Sequence, residues 1–212
     1  MTTPYSRHRL KEKYNTSYRA KHVLTGVLAK GRLAIMRAKE LLIVVDMQPK
    51  FEVSCDVEVL EAVASQIRAA KRRGWPICFL EFDGNFGSTH KVLRELASDY
   101  SKHDYVYKSE ADGSLQIADW LKGNPQFWAG IFRVCGVNLH CCVKHTANGL
   151  AHKFPENIVK VLRKACRDTE HTTGNWHKFT SFANLVVLPK LCQGGLNANN
   201  FGHSELVGFP KH

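Results

Sequence analysis

Cys135, Cys141 and Cys142 flank Gly136–Val137, where an apolar run from Trp128 to Val137 gives way to the more polar stretch Asn138–Lys144. The run reads as a buried strand, and the residues after it as a tight turn followed by a helix. A cysteine at the entry to a helix meets orphan backbone N–H groups and the positive end of the helix dipole. Both favour a thiolate, and the same N–H groups can hold an oxyanion developing on an attacked carbonyl. Free cysteine is also among the most buried residue types, so the spacing alone is equally satisfied by three core thiols.

The segments that would position these thiols alternate in type. Leu41–Val45 is a continuous aliphatic run, as expected of a strand buried on both faces of a parallel sheet. Asp46 follows it directly, at the strand end where open α/β sheets place ligands, although a turn or helix-cap role would suit it too. Asp56–Arg73 has an N-cap, an apolar stripe (Leu60, Val63, Ala64, Ile67) and a basic last turn, and Gly74 and Pro76 close it. Ile77–Phe82 is a second strand, reached through a right-handed parallel crossover. Ser88–Asp99 reads as a helix capped by Ser88 or Thr89, Asp104–Lys108 as a short strand, and Ser114–Lys122 as a helix capped by Ser114. Asn157–Leu162 and Val186–Leu188 are further strands, with a helix over His171–Ala183 between them. Strand, helix, strand repetition of this kind predicts an α/β fold, a three-layer α/β/α arrangement with a mostly parallel sheet of roughly six strands.

A chain of 212 residues suits one such domain. The expected organisation is a basic N-terminal extension over 1–38, an α/β domain over 39–190 and a Gly- and Asn-rich tail over 191–212. Within the extension, Tyr18–Ala38 has weak helical periodicity. The net charge of +11 is concentrated near the start, where residues 1–39 carry ten Lys or Arg and one Glu. A basic arm of this kind is usually a solvated surface and less often a nucleic-acid contact. No apolar run reaches the length of a membrane span, and the N-terminus lacks a secretory h-region, so the expectation is a cytoplasmic protein with no membrane contact. Seven scattered cysteines without a Cys-x-x-Cys pair fit reduced thiols and give no structural zinc spacing.

The pattern Gly-Val-x-x-x-x-Cys-Val-x-x-Thr-Ala, present as Gly136, Val137, Cys142, Val143, Thr146 and Ala147, resembles the nucleophile segment of the isochorismatase-like cysteine hydrolases, which include nicotinamidases and carbamoylsarcosine amidases. Leu41–Gln48 is similar to that superfamily's first strand with its Asp-x-Gln ending, and Tyr107–Lys108–Ser109 to the segment carrying its lysine. The three matches occur in the same order, and Ala165–Thr169 resembles a later loop. The resemblance implies the isochorismatase-like fold and a catalytic triad of Asp46, Lys108 and Cys142. Cys142 would attack a small amide, Asp46 would act as general base, and Lys108 would hold both; a covalent thioester would follow. Cys141 is a register rival, but only Cys142 keeps the spacing to Val143 and Thr146–Ala147.

The resemblance also implies a cis peptide at Val137–Asn138 that helps form the oxyanion hole. Asn138 and Leu139 depart from the residues frequent there, which bears on substrate class. In nicotinamidases the region after the second strand supplies an Asp-x-His pair and a further His to a metal. Here Asp83 matches, but Asn85 stands in place of the first His, and Asp83 with His90 falls short of a usual ligand set. The expectation is therefore no metal and no cofactor, with Phe51, Asp83, Phe86 and His90 as candidates for the pocket wall. Members usually assemble, so a homo-oligomer is implied. The alternatives are a catalytically silent or isochorismatase-type member whose basic arm binds an anionic partner such as nucleic acid. Vinyl-ether hydrolysis of isochorismate does not need a cysteine nucleophile, and this chain has one.

Overall fold

The computed structural model describes residues 39–168, 179 and 182–188. Among these described residues six strands form one sheet: β1 (Glu40–Val45), β2 (Ile77–Phe82), β3 (His103–Lys108), β4 (Ile131–Gly136), β5 (Ile158–Cys166) and β6 (Leu185–Leu188). Their order is β3-β2-β1-β4-β5-β6, and every pairing is parallel. The aliphatic run of β1 lies at the centre, buried along its whole length, which is why it does not alternate with polar residues.

Among the described residues four α-helices cover the two faces: α1 (Val57–Arg73), α2 (Lys91–Ala97), α3 (Ser114–Gly123) and α4 (Lys144–Lys153). α1 packs against α2 and across β1, β4 and β5, while α3 and α4 pack together and against β3, β5 and β6. The three-layer α/β/α fold expected from the alternation of segments is thus the one found. Asp56 caps α1 by accepting from the N–H groups of Glu58 and Val59, and Gly74 ends it in the left-handed conformation at φ 69°.

Several boundaries differ from the sequence reading; β5, for one, runs on to Cys166 where that reading ended at Leu162. α2 starts only at Lys91, because the Thr89 N–H is held at 2.7 Å by the buried carboxylate of Glu81 and the chain there still runs along the strand ends. Gly113, not Ser114, precedes α3, and the Asp112 carboxylate takes the Ser114 N–H at 2.8 Å. β4 begins at Ile131, since Pro125–Phe127 forms a short 3₁₀ turn and leaves Trp128 half exposed. The helical expectations over 18–38 and 171–183, and the tail over 191–212, fall wholly or mostly outside the described residues.

One polar group in the core needs a partner. Arg133 on β4 is buried, and its guanidinium reaches Glu40 Oε2 at 2.8 Å and Gln66 Oε1 at 3.2 Å. Lys160 closes the cluster on Glu40 Oε1 at 2.9 Å. The cluster ties β1, β4, β5 and α1 together in place of an apolar contact. No described helix is long and apolar enough to cross a membrane.

Candidate active site

From β1 the chain goes to β2 and β3 on one side, then crosses to β4 on the other, so the sheet's topological switch point lies between the carboxyl ends of β1 and β4. Both ends bend sharply. Asp46 takes φ 54°, with its N–H donated to Leu80 O at 2.9 Å, and Asn138 takes φ 59°. Positive φ is uncommon outside glycine, and Asp and Asn are among the residues that tolerate it best. Gly136, at φ 126°, lies so close to β1 that a Cβ there would fall 2.0 Å from Val45 O. Only glycine lets the two strand ends meet.

The strand ends bring the three sequence-predicted residues together. Asp46 and Lys108 have wholly buried side chains, and Lys108 Nζ lies 3.1 Å from Asp46 Oδ1. Hydrogen-bond geometry is reached at Oδ2, 3.2 Å away, and Oδ2 also accepts from Asn138 Nδ2 at 3.2 Å. Oδ1 is left without a hydrogen-bond donor of good geometry. Lys108 comes from the far edge strand; its ammonium passes over the Phe82 ring, 4.4 Å from the centroid, and also donates to Glu110 O at 3.2 Å. The Cys142 thiol is buried beside this pair. Burial, and after it the charge of the Asp46 carboxylate, push the thiol up to about 12; Lys108 pulls the other way without cancelling them. Burial and the facing carboxylate thus favour the protonated thiol, opposing the pull toward thiolate expected from the helix entry.

The peptide at Val137–Asn138 corrects a second expectation: no described peptide bond is cis. The left-handed Asn138 reverses the chain instead, so the turn needs no cis bond. After it, Leu139–Val143 forms a widened turn in which Asn138 O accepts from Cys141 N at 3.0 Å and from Val143 N at 3.2 Å. Such π-type turns are frequent at functional sites. This one turns Cys142 inward and leaves Cys141 exposed, which separates the two register rivals. The loop after β5 pins the turn from outside: Leu139 N donates to Arg167 O at 3.1 Å, and His140 N to Asp168 Oδ2 at 2.7 Å.

The pocket-wall candidates divide. Phe51 stacks on Phe86 with centroids 4.6 Å apart, and Phe82 meets both edge-on. Asp83 is exposed and its carboxylate accepts the N–H of the next residue, Gly84, at 2.7 Å, so it serves its own turn. His90 is half-buried with Nε2 2.8 Å from Ser54 Oγ. Ser54 gives its proton to Gln48 O at 2.6 Å, so Nε2 is the protonated nitrogen of the neutral ring. Among the described residues no three His, Cys, Asp or Glu side chains converge as metal ligands.

Two contacts are absent from the sequence reading, which named Gln48 only within the Asp-x-Gln motif and Asn138 only in the oxyanion-hole peptide. Gln48 is buried and clamps the loop of the aromatic rings: its Oε1 accepts from Phe82 N at 2.7 Å, and its Nε2 donates to Phe82 O and Gly87 O. The only signal for it was its place two residues after Asp46. The side-chain bond from Asn138 to Asp46 spans 92 positions and had no local signal.

No protein-family model and no curated protein matches the sequence. Solved structures do match in fold. The MAR1 ribonuclease of Caenorhabditis elegans aligns with a TM-score of 0.55 at 22% identity, covering 64% of this chain and 68% of that one. A nicotinamidase from Staphylococcus aureus aligns with 0.58 at 18% identity, over 70% of this chain and 97% of that one. An N-carbamoylsarcosine amidase from Thermoplasma acidophilum gives 0.56 at 17% identity, over 70% and 95%. The fold is that of the isochorismatase-like hydrolases.

Proposed function

We propose that the protein is a cysteine hydrolase that cleaves the C–N bond of a small amide. The observation that carries this reading is the buried Asp46–Lys108 pair beside the Cys142 thiol at the switch point of the sheet. The similarity in fold to a nicotinamidase and an N-carbamoylsarcosine amidase supports it.

Burial and the facing carboxylate favour the protonated thiol, so attack and proton transfer go together. Cys142 forms the S–C bond as its proton passes to the Asp46 carboxylate, and the carbonyl becomes an oxyanion near the N-terminal end of α4, where the helix dipole favours negative charge. Collapse breaks the C–N bond, and Asp46 returns the proton to the leaving amine. Water then attacks the thioester, gives a proton to Asp46, and releases the acid as the thiol is restored. Lys108 holds the Asp46 carboxyl group in place through both halves.

The test is ammonia release from a panel of small primary amides, with an acid quench and intact mass to catch the acyl-enzyme. Cys142→Ala abolishes release and the adduct, and Cys141→Ala retains both. A fully active Cys142→Ala sinks the reading. The fold shared with a ribonuclease and the basic residues of 1–39 favour a second reading, in which the chain binds RNA. It requires salt-sensitive RNA binding that is lost on deletion of residues 1–38.

A further inference from the structure

We propose that Asn138 is a positioning residue that selects which oxygen of Asp46 takes the proton of Cys142; the proposal rests on the Asp46–Lys108–Cys142 reading above. Its Nδ2 donates to Asp46 Oδ2 at 3.2 Å, the oxygen that already accepts from Lys108 at 3.2 Å. With Oδ2 holding two donors, its lone pairs are engaged, and Oδ1 is the buried oxygen with no hydrogen-bond donor of good geometry. Lys108 lies 3.1 Å from Oδ1 and 3.2 Å from Oδ2, so the Asn138 amide is what distinguishes the two oxygens: a proton arriving at Oδ1 leaves that bond intact, whereas one arriving at Oδ2 competes with it.

The left-handed backbone of Asn138 is part of the device. At φ 59° and ψ 52° the residue sits in a region that Gly, Asn and Asp enter most easily. Of these, only Asn brings an N–H donor; Asp at neutral pH would bring a second carboxylate. The same residue turns the chain into the nucleophile segment, since its carbonyl accepts from Cys141 N and Val143 N. One residue therefore joins the base on β1 to the turn that carries the thiol.

The charged and titratable groups facing the Asp46 carboxylate, among the described residues, are Lys108 from β3 and Cys142 from the turn after β4. Asn138 is the neutral third partner. A donor to an ionised carboxylate favours the ionised form, so losing it makes the carboxylate easier to protonate. The acid limb of any reaction that needs the ionised base then moves to higher pH.

The experiment needs no substrate. The full chain is alkylated with iodoacetamide between pH 4 and 9, and the rate at Cys142 is followed by peptide mass. The wild type, Asn138→Gly, Asn138→Asp and Asp46→Asn are compared, each first checked for an unchanged melting transition. Asn138→Gly keeps the backbone conformation and removes only the amide. The expected result is an acid limb about one pH unit higher in Asn138→Gly, one unit being tenfold in equilibrium. In Asn138→Asp, where a second carboxylate replaces the donor, the limb moves further. An unmoved limb in Asn138→Gly, with the limb abolished in Asp46→Asn, overturns the proposal alone and leaves Asn138 as a turn residue. A Cys142 profile identical in Asp46→Asn and wild type overturns the triad reading, and this proposal with it. If Asn138→Gly unfolds, Asn138→Asp carries the same decision, because it is isosteric and tolerates the same backbone.

Discussion

Gly136 presses against Val45 so closely that its missing side chain is what allows β1 and β4 to end side by side: a Cβ would stand 2.0 Å from Val45 O and 2.8 Å from Val45 C and N. The obstacle is backbone, which cannot swing aside as a side chain tip can, and φ at Gly136 is 126°. Gly136→Ala therefore combines a steric clash with a forbidden conformation. The expected outcome is a loss of about 3 kcal/mol or more, read by denaturant unfolding, or no folded protein at all. A variant as stable as wild type would show that the strand ends do not need this contact.

The Asp46–Lys108 pair predicts strong non-additivity. Lys108→Met leaves the Asp46 carboxylate buried without its ion pair, a loss of about 3–5 kcal/mol for a broken buried pair. Asp46→Asn combined with Lys108→Met removes both charges and costs less than Lys108→Met alone. Urea unfolding of the two single variants and the double variant measures the coupling; simple additivity would mean that the pair is not dry.

Buried thiols set the alkaline limit of stability. Burial raises Cys135 and Cys142 to about 12, and raises Cys166 well above the ordinary thiol value. A group whose folded value lies above its unfolded one keeps its proton in the native state and loses it on unfolding. Its stabilising contribution is complete below the unfolded value, about 8.5, and is lost as pH rises from there towards the folded value. The melting temperature is expected to fall from pH 8.5 to 10.5, and Cys166→Ala flattens that slope. An unchanged slope in Cys166→Ala removes this thiol from the account.

His90 acts at the other end of the scale. Burial lowers its imidazole below the ordinary value of 6.5, against the opposing hydrogen bond at Ser54. The native state then prefers the neutral ring, so the unfolded chain binds more protons and stability rises with pH through this window. Stability is complete above about 6.5 and is lost as pH falls through the lowered folded value. His90→Gln is expected to weaken the drop in melting temperature between pH 7 and pH 5. An equal drop in both proteins would assign the acid sensitivity elsewhere.

The order and type of the elements were written in the sequence, because each depends on neighbours in the chain. The unbroken aliphatic run 41–45 declared a strand buried on both faces, and Asp56, the apolar stripe and Gly74 declared one helix with both its ends. The resemblance singled out Asp46, Lys108 and Cys142, and its motif spacing preferred Cys142 over Cys141; the fold brings these three side chains together. The tertiary structure decided what depends on distance across the fold. A Lys from the edge strand reaches the central strand's Asp through a buried layer, and Asn138 reaches the same carboxylate over 92 positions. The upward push on the thiol comes from burial and from the facing carboxylate, which no local pattern encodes. The trans turn at Val137–Asn138 and the clamp made by Gln48 belong to the same class, for both are set by backbone groups of other strands. Spacing along a chain fixes local geometry, whereas charge, solvation and register across a sheet exist only once the strands are side by side.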